Sequence, residues 1–249
     1  MNTVRLDRLV VERTGFSREY AAEVIENGYV AAGGKVLVKP GMKVSTVLEI
    51  SVNAQPMQYV SRGGYKLEYA ISAFGIAVEG LSCVDIGASV GGFTDCLLQN
   101  GARFVATIDC GTGQLADTLR TDPRVMVYEN MNIREINVPH FINELNEVEY
   151  GFDLAVIDVS FISLKLVLPV AASLLKPGGT LICLVKPQFE VGKKGLNKKG
   201  VVIDERLRAA ALEAVKAAAA HNFRSLSHRQ SPITGRGGNV EYLLIGIRQ

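Results

Sequence analysis

Apolar residues recur along this chain in two rhythms. Between Val4 and Arg13 they fall at helical spacing (Val4, Leu6, Leu9, Val10) until Thr14-Gly15 breaks the run. Ser17 then occupies an N-cap position ahead of a second amphipathic stretch, where Tyr20, Ala21, Val24 and Ile25 share a face as far as Asn27-Gly28. Strand-like pieces follow at 29–30, 35–38 and 47–52, with Gly33-Gly34 and Pro40-Gly41 as turns. Two short helices and a small sheet predict an α+β module over residues 1–54, too small for a deep pocket. Asn53 to Gln58 is polar, contains Pro56 and has no period, which places a linker at 55–60.

From Ser61 onward the rhythm changes. Apolar runs bounded by turns predict strands at 83–86, 104–108, 125–128, 154–157, 180–185 and 241–247. Between them, amphipathic stretches predict helices at 92–100, 115–119, 163–175 and 204–221. Strands that are nearly continuous in apolar residues and alternate with helices imply a parallel sheet covered on both faces, an α/β unit over 61–249.

Composition narrows the function classes. The 249 residues are 48% hydrophobic and 21% charged, enough for a large core and incompatible with wholesale disorder. With 27 Lys+Arg against 25 Asp+Glu there is no general polycation, so any contact with nucleic acid depends on local placement of charge. The longest apolar stretch, 166–175, contains Pro169 and falls short of the ~18 residues that a bilayer span requires. Arg5, Asp7 and Arg8 stand where a secretory signal would need apolar residues. Cys83, Cys96, Cys110 and Cys183 form no CxxC pair, and His140, His221 and His228 share no ligand spacing. The expectation is a soluble cytoplasmic protein without a metal centre or a membrane role.

Chemistry concentrates at the ends of the expected strands. The run from Val84 through Asp95 reads Val-Asp-Ile-Gly-Ala-Ser-Val-Gly-Gly-Phe-Thr-Asp, directly after a strand and opening a helix. Its GxxxGG spacing is not the GxGxxG of a dinucleotide cradle. Asp85, two positions before the first glycine, suits a cationic ligand, and Asp109 at the next strand end suits the hydroxyls of a ribose. This combination favours S-adenosylmethionine over NAD, although the same glycines would also serve simply to pack the helix on the sheet.

Four ionisable residues should gather at the same edge. Asp158 and Lys186 end strands and so border the ligand crevice, and Lys66 precedes the first strand. Glu241 begins the terminal strand, so it joins them only if that strand is antiparallel. A lysine serves as base to a ribose hydroxyl only when its pKa falls well below ~10.4, through burial or a neighbouring cation. Lys66 would supply that like charge to Lys186, Asp158 would orient the ammonium, and Glu241 would hold Lys66 or the ribose. The competing possibility is a set of ordinary surface ion pairs. The segment 186–200 holds five lysines against Glu190 alone; with its glycines it could grip phosphates or be a plain solvated loop.

These residues resemble two known families. The first block, through Arg5-Leu-Asp-Arg8, Ser17-Arg18, Ile25-Glu-Asn-Gly28 and Lys39-Pro-Gly41, resembles an S4-type RNA-binding domain. The second, through Ser61-Arg-Gly-Gly-Tyr-Lys66, the Asp85–Asp95 run, Asp158-Val-Ser-Phe-Ile-Ser163 and Val185-Lys-Pro-Gln-Phe-Glu190, is similar to an FtsJ-type methyltransferase. Fused in this order they resemble the TlyA (hemolysin A) family of rRNA 2′-O-methyltransferases over essentially the whole chain. The resemblance implies a Rossmann-like, doubly wound, mostly parallel seven-stranded sheet and a Lys66-Asp158-Lys186-Glu241 catalytic tetrad. It also implies S-adenosylmethionine contacts from Asp85, Gly87, Ala88, Ser89, Gly91, Gly92, Phe93, Asp109, Asn132 and Asp158. The implied substrate is a cytidine ribose in ribosomal RNA or a ribosomal subunit, reached through Arg5, Arg8, Arg18, Lys35, Arg62, Lys193 and Lys194. Two positions depart from the family pattern: Ala32-Gly33-Gly34 replaces Val-Asn-Gly, and Val90 replaces Thr or Pro. The rival functions are a degenerate enzyme that only binds RNA, an FtsJ-type enzyme for another RNA, and a membrane-active hemolysin.

Overall fold

Val4 does not begin a helix. It pairs with Val44, so Thr3–Arg5 (β1) is extended and the first helix, α1, runs over Leu6–Thr14. The helical spacing at 4–13 therefore starts two residues late, because a cross-strand partner forty residues away outweighs local periodicity. The computed structural model describes residues 2–54, 57–145 and 147–249, apart from the side chains of Glu19 and Arg236. Gln55 and Pro56 of the expected linker lie outside them. The chain divides into two compact units, Met1–Arg62 and Gly63–Gln249.

In the small unit, Gly15 closes α1 at φ +72°, the left-handed conformation that costs glycine nothing. Ser17 caps α2 (Arg18–Glu26), its hydroxyl accepting from the Tyr20 amide at 3.2 Å. β2 (Val30–Ala32), β3 (Lys35–Val36) and β5 (Ser51–Val52) form one small antiparallel sheet, and β4 (Lys43–Ser45) pairs with β1. A strand at 47–52 was expected, but only its last two residues pair; Val47 is 79% exposed while Val44 is buried opposite Val4. Leu6, Leu9, Val10, Ala21, Val24, Ile25, Val30 and Val44 make the core of this unit. Each of the Leu, Val and Ile side chains contributes about 1.5–3 kcal/mol by leaving water.

The large unit opens with a helix that periodicity does not reveal, α3 (Gly63–Phe74). The order is then β6 (Ser82–Ile86), α4 (Gly92–Gln99), β7 (Phe104–Ile108), α5 (Asp117–Arg120), β8 (Val125–Tyr128), α6 (Val138–Asn143) and β9 (Phe152–Ile157). It continues through α7 (Leu164–Leu174), β10 (Leu175–Val185), α8 (Glu205–Ala219), β11 (Phe223–Gln230) and β12 (Tyr242–Arg248). Seven strands form one sheet in the order β11-β12-β10-β9-β6-β7-β8. β10 through β8 are mutually parallel, and β12 alone is antiparallel to both of its neighbours. All five residues of β6 and of β7 are buried, as strands covered on both faces must be. The Pro177-Gly-Gly turn survives as an interruption within β10, where pairing with β9 lapses between Leu175 and Thr180. β11, which was not expected, is an edge strand with polar, exposed residues such as Arg224 and Ser225.

Candidate active site

The chain enters the sheet at β6, builds outward through β7 and β8, then crosses back to place β9 on the other side of β6. That reversal opens a crevice at the carboxyl ends of β6 and β9, where ligands of open α/β sheets bind. Asp85 and Gly87 lie at the end of one strand, and Asp158 directly follows the other, its amide donating to the Ile86 carbonyl at 3.0 Å. Gly87 has φ +87°, and a Cβ there would stand 2.9 Å from the Asp158 carbonyl oxygen. Only glycine lets the two strand ends approach this closely.

The glycine turn is held from beneath by Asp109. Its Oδ2 accepts from the Ser89 amide and its Oδ1 from the Gly111 amide, each at 2.7 Å, with Ser89 at φ +49°. Each carboxylate oxygen keeps a lone pair for a further donor, so the arrangement fits a ribose diol. Gly91 caps α4 at φ +100°, and Gly92 begins that helix. Ala88 and Phe93 are buried beneath the turn, so any cofactor contact they make comes from their backbone or inner edge. Asn132 caps the short turn Ile133–Glu135, accepting from the Arg134 amide at 3.2 Å. It also lines a cavity of about 320 Å³ with Glu129, Met131, His140 and Glu144, which includes neither the tetrad nor the glycine turn.

Asp85 is completely buried. Its Oδ2 accepts from the Thr94 hydroxyl at 2.6 Å, while Oδ1 has no hydrogen-bond partner. Burial pushes this carboxyl up to about 7; the Thr94 bond opposes that, and the Asp158 and Asp109 charges add to it. A buried, unpartnered carboxylate oxygen beneath a glycine turn is a feature that a cationic ligand resolves. With Asp109 and the close approach at Gly87, these residues fit S-adenosylmethionine.

The four tetrad candidates form two ion pairs. Lys66 Nζ lies 2.7 Å from Glu241 Oε2, and Lys186 Nζ lies 2.6 Å from Asp158 Oδ1. The antiparallel condition on Glu241 is met: β12 pairs with β10 so that Val185 faces Tyr242, which sets Lys186 and Glu241 side by side beyond the last pair. Each lysine thus has a carboxylate as its direct partner, Asp158 for Lys186 and Glu241 for Lys66. α3 delivers Lys66 from its inward face, together with Leu67 and Ala70.

Several contributors were not singled out from sequence. Lys186 Nζ also donates to Ser160 Oγ at 3.0 Å, and Gln188 Nε2 donates to Glu241 Oε1 at 3.2 Å. Phe161 is 88% exposed at φ +64°, an uncommon backbone for a bulky side chain, and its ring lies 5.1 Å from that of Phe189. The Phe189 ring in turn lies 6.0 Å from Lys186 Nζ. All four sit inside the Asp158–Ser163 and Val185–Glu190 motifs, beside the charged residues Asp158, Lys186 and Glu190.

The expected RNA contacts divide into groups. Asp7, nearly buried, gathers Arg5 at 2.7 Å and Arg18 at 3.5 Å on one surface, and Arg5 holds its carboxyl below the usual range. Arg8 and Lys35 are exposed, and Arg62 pairs with Glu23 at 3.1 Å. In the large unit, Glu190 is committed to α7: it accepts from Ser163 Oγ at 2.6 Å and from the Leu164 amide at 2.8 Å. That leaves Lys193 and Lys194 exposed and, among the described residues, in no ion pair.

A family model described as FtsJ-like methyltransferase matches residues 59–248. The chain is 44% identical to the 16S/23S rRNA (cytidine-2′-O)-methyltransferase TlyA of Mycobacterium tuberculosis, covering 96% of this chain and 88% of that protein. It is 39% identical to Hemolysin A of Brachyspira hyodysenteriae, over 96% of this chain and 98% of the relative. A solved structure from Streptococcus thermophilus that also carries the hemolysin name is similar at 39% identity and a TM-score of 0.78, over 100% of this chain and 90% of that one.

Proposed function

The chain belongs to the FtsJ-like methyltransferase family and is an S-adenosylmethionine-dependent methyltransferase, and on that premise we propose that it methylates a cytidine ribose 2′-hydroxyl in ribosomal RNA. The observation that supports this most directly is the pairing of Lys186 with Asp158 and of Lys66 with Glu241 at the carboxyl-end crevice beside the glycine turn. The cofactor supplies an electrophilic methyl group on a sulfonium sulfur. Lys186 takes the proton of the ribose 2′-hydroxyl that would receive that methyl group. It does so only in its neutral form, with Asp158 and Ser160 fixing the direction of its nitrogen. Lys66, held by Glu241, positions the ribose, and such placement removes several kcal/mol from a barrier.

RNA engagement follows from the remaining exposed groups. The Asp7-centred arginines, Arg8 and Lys35 are the phosphate contacts of an S4-type small unit, and Lys193 and Lys194 grip the backbone beside the site. Phe161, held outward, offers a face on which an unstacked base can rest. Ribosomal RNA as substrate places the activity in the cytoplasm. Among the described residues no helix is long and apolar enough to cross a membrane.

Incubation with radiolabelled S-adenosylmethionine and unmodified ribosomes, separated subunits or bare rRNA tests this reading. The expected result is label in an alkali-resistant dinucleotide, lost in Lys186→Ala while cofactor affinity persists. Cofactor binding without transfer to any of these RNAs overturns the rRNA assignment.

A further inference from the structure

Gln188 stands outside the tetrad yet touches it. It lies in the single turn Pro187–Phe189 that directly follows Lys186, and its amide meets the Glu241 carboxylate. Only one orientation of that amide works, because a carboxylate accepts and never donates: Nε2 must face Glu241 Oε1. Glu241, 2% exposed, is thereby held at both oxygens, by Lys66 on Oε2 and by Gln188 on Oε1. The other end of the amide, Gln188 Oε1, is buried with no hydrogen-bond partner. If this side chain served only to fill space, an apolar residue of the same length would do so without an open acceptor. Its polar end is kept for Glu241.

We propose that Gln188 is a positioning residue for methyl transfer. By clamping Glu241 Oε1 it sets the direction of Oε2 and so the place of the Lys66 ammonium. Because it follows Lys186 by two residues, it ties the Lys66–Glu241 pair to the segment that carries the base. Without it, Glu241 Oε1 becomes a buried carboxylate oxygen with no donor, and the carboxylate is free to turn about its own bond. The ammonium then loses the orientation that the ribose requires. This inference rests on the methyl-transfer reading above.

Two variants test it. Gln188→Met keeps the length and removes the donor; kcat should fall about tenfold or more, with KM for RNA and cofactor affinity within about threefold. Gln188→Glu sets two carboxyls face to face, which cannot both ionise at that distance, so one must hold a proton to replace the amide N–H. Its kcat relative to the parent should therefore climb as pH is lowered from about 8 to about 6, a profile that loss of packing alone does not produce. A Gln188→Met kcat within about twofold of the parent, or a Gln188→Glu ratio independent of pH, overturns the proposal. If the parent methylates no rRNA, the function reading fails, and melting temperatures decide the inference separately. Gln188→Met, Glu241→Gln and the double variant should then be clearly non-additive, and simple additivity refutes the contact.

Discussion

Replacing Asp85 with Asn should change stability by an amount whose sign depends on pH. The carboxyl is fully buried, and burial, reinforced by Asp158 and Asp109 against the Thr94 hydrogen bond, raises it from the usual 3.8 to about 7. Between those values the unfolded chain has lost this proton while the folded chain retains it. Folding then takes up a proton, so stability falls as pH rises from about 3.8 and the loss is complete above about 7. Of the whole span, the part between pH 5 and about 7 is worth roughly 3 kcal/mol at ~1.4 kcal/mol per pH unit. Asn is neutral throughout and can accept the Thr94 bond, but its amide nitrogen occupies the place where Asp85 Oδ1 has no partner, at a cost of about 1–3 kcal/mol.

That cost is constant with pH, so the difference between parent and variant isolates the titration. Asp85→Asn should be the less stable protein at about pH 5, and should gain roughly 3 kcal/mol on the parent by about pH 8.5. The chain has no tryptophan, so urea unfolding is best followed by far-ultraviolet circular dichroism across this range. A stability difference that stays flat with pH would refute the reasoning. So would a parent that gains on the variant as pH rises, since that places an ionised, stabilised carboxylate in the fold.

The same carboxyl couples to ligand binding: a cationic ligand favours its ionised form, so calorimetric S-adenosylmethionine affinity should rise with pH up to about 7 in the parent and lose that rise in Asp85→Asn. Gly87→Ala forces a Cβ to 2.9 Å from the Asp158 carbonyl at φ +87°, and should cost about 1–3 kcal/mol in unfolding experiments and weaken cofactor binding. Reversing Lys193 and Lys194 to Glu should weaken RNA binding, flatten its salt dependence in filter-binding assays and leave cofactor affinity unchanged. Lys66→Met or Glu241→Leu alone should lose about 3–5 kcal/mol by stranding the partner, while the double variant regains stability in thermal melts and stays inactive.

The parts of the fold legible in the sequence are those whose burial is uniform. β7 begins and ends where its apolar run does, because a parallel strand buried on both faces shows its neighbours the same chemistry on each. α3 was hidden by the function it carries: its inward face holds Gly64 and Lys66 beside Leu67 and Ala70, so the apolar stripe is broken by the reactive lysine. β1 depends on Val44, and β11 is an edge strand with exposed polar residues; neither leaves a local period. The tetrad was readable because charged residues at the ends of apolar runs stand out. Gln188 and Ser160 were not, since a neutral side chain acquires its meaning only from the carboxylate or ammonium that folding brings to it.

Topology explains why Glu241 serves the site from the beginning of its strand while Asp158 and Lys186 serve it from just past the end of theirs. In a wholly parallel sheet every residue at the crevice follows an apolar run. Reversing β12 presents its leading edge there instead, and the Val185–Tyr242 pairing sets Glu241 next to Lys186. The buried loop-side end of that strand then lies within reach of Gln188 and of α3, which bring the second donor and the second lysine. None of this favours folding: ion pairs removed from water seldom outperform apolar packing of the same volume. Their retention at side-chain exposures between 2% and 23% is therefore a cost borne for position, with two ammonium groups held by three strand ends and one helix around a common crevice.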